Sequence, residues 1–196
     1  MKKGLIVLLV LGAIVLIGGC QACSLQKSLV NLDENVKKEW AGVENAYQRR
    51  ADLIPNLVST VKGAAAHEQN TLTAVIEARS KATQITVDPN NLTEEKLQEF
   101  QQAQGQLSQA LGKLMMIREA YPDLKVNQNF LALQDQLEGT ENRINEERRK
   151  FNDAVNLYNK EVRVFPNNML AGMLNFKVRP TFKAEAGAET APKVEF

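Results

Sequence analysis

The chain has 196 residues, 24% of them charged and 44% hydrophobic, enough for one domain with a real core plus an anchor and a tail. Glycine (11), proline (6) and aromatics (6%) are scarce, which suits long helices and disfavours a many-turned β fold. Formal net charge is +1, and with Lys2 and Lys3 set aside the basic residues no longer outnumber the 23 acidic ones; such a mixed-sign body offers no footprint for nucleic acid.

After the basic start, residues 4–19 carry no polar side chain. Two readings stay open. The run can extend through Cys20, Ala22, Cys23 and Leu25 as a slightly short transmembrane helix, since a span needs about 20 residues. Alternatively it is a signal peptide whose Ile17-Gly18-Gly19-Cys20 ending resembles the lipobox of bacterial lipoproteins, which makes Cys20 a lipidation candidate. Either way residues 1–25 form a membrane anchor in contact with lipid. The expected location is the bacterial cell membrane, single-pass or lipid-anchored, with the body outside the cytoplasm and Lys2 and Lys3 starting inside. Cys20 and Cys23 are the two cysteines, so no disulfide can staple the body; their C-x-x-C spacing lacks a βαβ context and is a weak redox match.

From residue 31 to about 66, Leu32, Val36, Trp40, Val43, Tyr47, Ile54, Leu57 (or Val58) and Val61 recur at helical steps. Pro55 predicts a kink or short break, because it cannot donate to the carbonyl of Ala51. Residues 67–85 predict a second helix with Leu72, Val75, Ala78, Ala82 and Ile85 on its apolar face and Arg79 beside them. A turn-forming loop at 88–91 precedes a third helix, capped by Asn91 or Thr93 and helped by Glu94 and Glu95 in its first turn. Leu97, Phe100, Leu107, Leu111, Leu114 and Ile117 carry its stripe, and Tyr121-Pro122 closes it. The fourth helix carries Phe130, Leu133, Leu137, Ile144, Phe151, Val155, Tyr158, Val162 and Phe165, with polar steps near Thr140 and Glu147. Pro166 ends it, residues 167–175 suit a short terminal helix, and residues 183–196 read as a disordered tail. The pattern predicts an all-α protein, an antiparallel up-and-down four-helix bundle over residues 29–182 with the N-terminal membrane anchor ahead of it.

The string Tyr47-Gln48-Arg49-Arg50-Ala51-Asp52-Leu53-Ile54-Pro55-Asn56-Leu57-Val58, continuing to Gly63 and His67-Glu68, resembles the signature of the LemA family. A second block, Tyr121-Pro122-Asp123-Leu124-Lys125 and on to Glu138-Gly139-Thr140-Glu141-Asn142-Arg143-Ile144, is similar to it too. So is a third, from Arg148-Arg149-Lys150-Phe151-Asn152 through Tyr158-Asn159 to Phe165-Pro166 and Asn175-Phe176. The resemblance covers roughly residues 29–182. It implies an N-terminal membrane anchor and a helical bundle, and it does not imply a catalytic activity. One branch of the family is associated with magnetosome membranes, and members are often encoded beside a membrane metalloprotease.

Chemistry-bearing constellations are sparse. His67 is the single histidine, which rules out a metal site built on two histidines of one chain, and His67-Glu68 lacks the second His of H-E-x-x-H. No Gly-x-Ser-x-Gly elbow accompanies it, so a cap or a solvent-facing role is expected. No phosphate-binding glycine motif occurs, Asn91-Leu92-Thr93 is a chance sequon, and Glu146 and Glu147 point to different helix faces. No catalytic residue, metal or cofactor is expected; the chain reads as a non-enzymatic interaction or scaffolding module with an envelope or membrane protein as partner, or as an accessory to a membrane protease. The candidate surface is the polar cluster Arg49, Arg50, Asp52 and Asn56 on the first helix with Glu138, Glu141, Asn142 and Arg143 on the fourth. If those helices pack, Arg50 or Arg49 can bridge Glu141 or Glu138 in bidentate fashion. The cluster then either fixes helix register or forms a partner patch. Trp40 and Tyr47 are core residues by default, or aromatics offered to a partner helix.

Overall fold

A computed structural model of the protein describes residues 2–65 and 67–183, apart from the side chains at 2, 3, 5–10 and 13–22. The apolar steps generate six helices: α1 (Lys2–Ala64), α2 (Gln69–Gln84), α3 (Glu94–Ile117), α4 (Pro122–Lys125), α5 (Gln128–Arg163) and α6 (Asn167–Met173). Among the described residues there is no strand. The expected four long helices are present, and two short ones, α4 and α6, join them. The tail beyond Lys183 lies outside the described residues.

The first helix begins far earlier than its apolar stripe does. It runs 63 residues without interruption, about 95 Å at roughly 1.5 Å per residue, so the apolar N-terminal run and the first helix of the body are one rod. No described helix is long and apolar enough to cross a membrane. The side chains of most of residues 4–19, and of Cys20, lie outside those described, and so therefore do the expected span and lipidation site.

Nor does α1 break at Pro55. Proline leaves the Ala51 carbonyl without its usual donor, and Arg79 of α2 supplies one: its Nε–H donates to that oxygen at 2.7 Å. The side chain that narrows the apolar face of α2 thus repairs α1 and ties the two helices together. Arg79→Ala should cost about 1–3 kcal/mol, the penalty for orphaning a buried acceptor, and clearly less in a Pro55→Ala background, where a backbone N–H returns. Urea denaturation of the double-mutant cycle reads this coupling; strictly additive effects would contradict it.

Capping follows the expected chemistry. Thr93 Oγ1 accepts from the Lys96 N–H at 3.3 Å and Asn127 Oδ1 from that of Phe130 at 3.1 Å. The third helix, however, ends at Ile117 rather than at Tyr121, and Pro122 opens α4 at its first turn, where a fixed φ and a missing N–H cost nothing. Phe165, placed in the seam of the fourth helix by its spacing, is 76% exposed. The helix stops at Arg163 and Val164 is extended, one residue short of Phe165, which as the residue ahead of Pro166 disfavours helical angles.

Helix α1 packs antiparallel along α5: Trp40 meets Phe151 and Arg50 meets Glu141. Helix α2 pairs with α3 and also touches α1. Buried apolar residues fall into two clusters. One holds Trp40, Tyr47, Phe100, Phe151 and Phe182; the other holds Ile54, Leu57, Leu107, Leu114 and Phe130. The aromatic cluster is tightly arranged, with Trp40 edge-on to Phe100 (5.6 Å) and Phe151 (5.3 Å) and stacked on Phe182 (6.0 Å). Trp40 and Tyr47 are therefore core residues, 1% and 7% exposed.

Candidate functional site

The apolar stripes of α1, α3 and α5 skip steps, and the skipped steps are buried all the same. Between Tyr47 and Ile54 stands Arg50, between Phe100 and Leu107 stands Gln104, and on either side of Ile144 stand Thr140 and Glu147. These are the four buried polar residues among those described. Arg50 Nη1 donates to Ser108 Oγ at 2.8 Å and to Glu141 Oε2 at 2.9 Å. Its Nη2 donates to Gln104 Oε1 at 2.6 Å and to the Gln104 carbonyl at 3.3 Å, and the guanidinium sits 5.0 Å from the centre of the Tyr47 ring. Gln104 in turn donates to the Ala82 carbonyl at 3.3 Å. The layer therefore joins α1, α3 and α5 directly and α2 through Gln104. It lies where one apolar cluster gives way to the other.

Burying a guanidinium costs several kcal/mol of hydration, recovered only through good geometry and full hydrogen bonding. Four donated bonds, one to a carboxylate, supply that here, and the Glu141 side chain stays 47% exposed, so the arginine alone bears the full desolvation. Arg50 Nε is buried without a hydrogen-bond partner among the described residues. Both terminal nitrogens are committed inward, which suits the layer to setting helix register.

Of the eight candidate residues, Arg50 and Glu141 meet, through one guanidinium nitrogen because the other faces Gln104. Arg49, Asp52 and Arg143 line a shallow groove of about 1220 Å³ between the outer sides of α1 and α5, with Lys38, Gln136 and Lys150. Buried Glu147 forms part of that groove, 3.0 Å from Arg143 Nε and 3.3 Å from Lys150 Nζ. Gly42 gives it room, since a Cβ there would lie 2.7 Å from Glu147 Oε2. Neighbouring Glu146 faces away, and its hydrogen bond with Arg149 holds its carboxyl below the ordinary range. Asp52 accepts from Gln48 at 2.7 Å. Asn56, Glu138 and Asn142 are exposed, as is His67 in the α1–α2 turn.

Beyond α6 the chain turns at Asn175 (φ 61°) and residues 176–183 run back along α5 as an extended strap. Asn159 accepts from the Arg179 N–H at 2.8 Å and donates to the Arg179 carbonyl at 2.8 Å. Two helical turns away, Asn152 does the same for Phe182, at 2.9 and 3.1 Å. Tyr158 donates its hydroxyl to the Lys177 carbonyl at 2.9 Å. Helical periodicity does not signal this segment; the one legible hint is that Asn152 and Asn159 lie seven residues apart on the seam side of the charged helix. Burial, the main cause, pushes the Tyr158 hydroxyl above its ordinary 10.0. A raised folded value means the contribution is intact below pH 10 and lost as pH climbs through the folded value. The stability gap between the wild type and Tyr158→Phe should accordingly be full at pH 8 and shrink as the pH rises above 10.0 in denaturation profiles; a gap independent of pH would contradict this.

The fold and its layers define an all-helical body, locked by an internal arginine layer, whose first helix continues from an apolar N-terminal run. The LemA family model matches residues 39–196, and the chain belongs to that family. The magnetosome proteins MamQ 2 and MamQ 1 of Paramagnetospirillum magneticum are each 25% identical to it over 180 residues, covering 83% of this chain; the chain spans 66% of their length. The protein LemA of Metamycoplasma hominis is 25% identical over 160 residues, covering 81% of this chain and 69% of that protein.

Proposed function

We propose that this chain is a non-enzymatic, membrane-held interaction module of the bacterial cell envelope. Its body, α1, α2, α3 and α5 arranged as an antiparallel up-and-down four-helix bundle, presents polar grooves to an envelope or membrane protein. The observation that carries the reading is the continuity of α1, Lys2–Ala64: the apolar run that starts the chain is joined to the body by rigid helix and not by a flexible linker. Membership of the LemA family and relatives named as magnetosome proteins support a membrane-associated place. The internal polar groups support the binding reading, because Arg50 and Gln104 are spent on joining helices, which leaves the groove beside Arg49 and Arg143 as polar surface for a partner.

Intact mass of the full chain extracted from bacterial membranes, beside a Cys20→Ala control, tests it. Cleavage before Cys20 plus lipid, lost in the control, makes the protein a lipoprotein; an uncleaved mass from the same fraction makes it single-pass. Recovery in the soluble fraction at unmodified mass would contradict the reading. A membrane protease in constant ratio to the extracted chain would make the protein its accessory subunit.

A further inference from the structure

The strap is held in a way that burial of one aromatic does not require. A segment that merely completes a core needs its apolar side chain covered. Here the two asparagines of α5 each satisfy both main-chain groups of one strap residue, Arg179 and Phe182. Paired amide bonds of this kind read extended backbone whatever its sequence, while pockets for particular side chains give selectivity. Two such pockets are built. Arg179 reaches Asp33 of α1, whose side chain is 15% exposed, and donates to the Pro89 carbonyl at 2.7 Å. Phe182 enters the space bounded by Trp40 and Phe151, with the Arg148 guanidinium 4.8 Å above its ring. Beside the strap the groove stays open, about 1090 Å³ lined in part by Asn90, Asn91, Glu94 and Asn156.

We propose that this face of α5 is a binding site for an extended peptide of pattern Arg-x-x-Phe, occupied in this chain by its own residues 177–183. The acidic pocket and the aromatic pocket, three residues apart along the peptide, set the pattern, and Asn159 and Asn152 hold the backbone at those two positions. The strap is the resident ligand, and a protein segment with the same pattern competes for its place. The site stands apart from the membrane reading, because it is measured on detergent-purified full chain.

The test places a specific protease site at Asn175, in the exposed turn before the strap, and cuts the protein after it has folded. A fluorescent peptide of residues 176–184 is then added in excess and followed by anisotropy. The expected result is exchange of the labelled peptide into the cut chain. Binding should weaken at least tenfold with Asn152→Ala or Asn159→Ala, roughly the loss of a pair of hydrogen bonds, and should be absent for a scrambled peptide. If cutting unfolds the chain, the peptide should restore the buried emission of Trp40, and failure to do so overturns the proposal. So does a peptide that never enters, or one that enters the asparagine variants and the wild type alike. Binding of the uncut chain to a second copy through the same groove, seen as a dimer that the peptide dissolves, would place a neighbouring strap among the competing ligands.

Discussion

Arg50→Ala lowers the unfolding free energy by about 3–5 kcal/mol, the range for removing one partner of a buried charged network. The loss has several parts. The carbonyl and side chain of Gln104, with Ser108 Oγ, lose their donor inside the bundle, and a side chain 2% exposed leaves a void where the apolar clusters meet. Arg50→Lys restores little, because one ammonium on a flexible stem cannot reproduce the fork that reaches α3 and α5 together. A combined replacement of Arg50 and Gln104 by methionine and leucine should recover much of the stability, since a well-packed apolar layer removes the desolvation cost. Chemical denaturation monitored by circular dichroism checks all three. An Arg50→Ala variant within about 1 kcal/mol of wild type would mean that the layer is solvated and does not set the packing.

Phe182→Ala costs about 3–5 kcal/mol, as for other large aromatics cut back in a core, although it sits in a segment with no secondary structure, near the end of the chain. It is 6% exposed, stacked on Trp40, and edge-on to Phe151 at 5.5 Å. Its loss exposes the single tryptophan, so the denaturation midpoint should fall and native Trp40 emission should shift to the red. Exposed Phe165→Ala supplies the control and should change stability by less than about 0.5 kcal/mol. Equal effects from the two phenylalanines would show that the strap is not part of the core.

How much of this was legible in the sequence follows from what periodicity can and cannot carry. The stripes through Trp40, Leu107 and Phe151 place the long helices, because burial repeats every 3.6 residues. The gaps in those stripes at Arg50, Gln104, Thr140 and Glu147 are equally visible, yet at the first of them Arg49 stands beside Arg50 as an alternative bridge. Choosing between Glu138 and Glu141, which both flank the seam of the fourth helix, needs the packing of that helix on the first, which spacing does not supply. Glutamine and serine from α3 carry no charge, so nothing in the sequence marks Gln104 and Ser108 as partners of the arginine. Pro55 signalled a break correctly in local terms, and a long-range contact, Arg79 to Ala51, overrode it. The strap was out of reach because extended backbone read by side-chain amides has no period. The anchor is the reverse case: the apolar run is plain in the sequence, and its side chains lie mostly outside the described residues.

The most direct measurement of the central claim, that this body is held at a membrane by its N-terminal run, is fractionation after an alkaline carbonate wash. Full chain should be compared with a chain that begins at Ser24. The account predicts that full chain stays with the membranes while the shortened chain is released, still helical and with Trp40 emission unchanged. Release of the full chain by the wash, or retention of the shortened one, would contradict it.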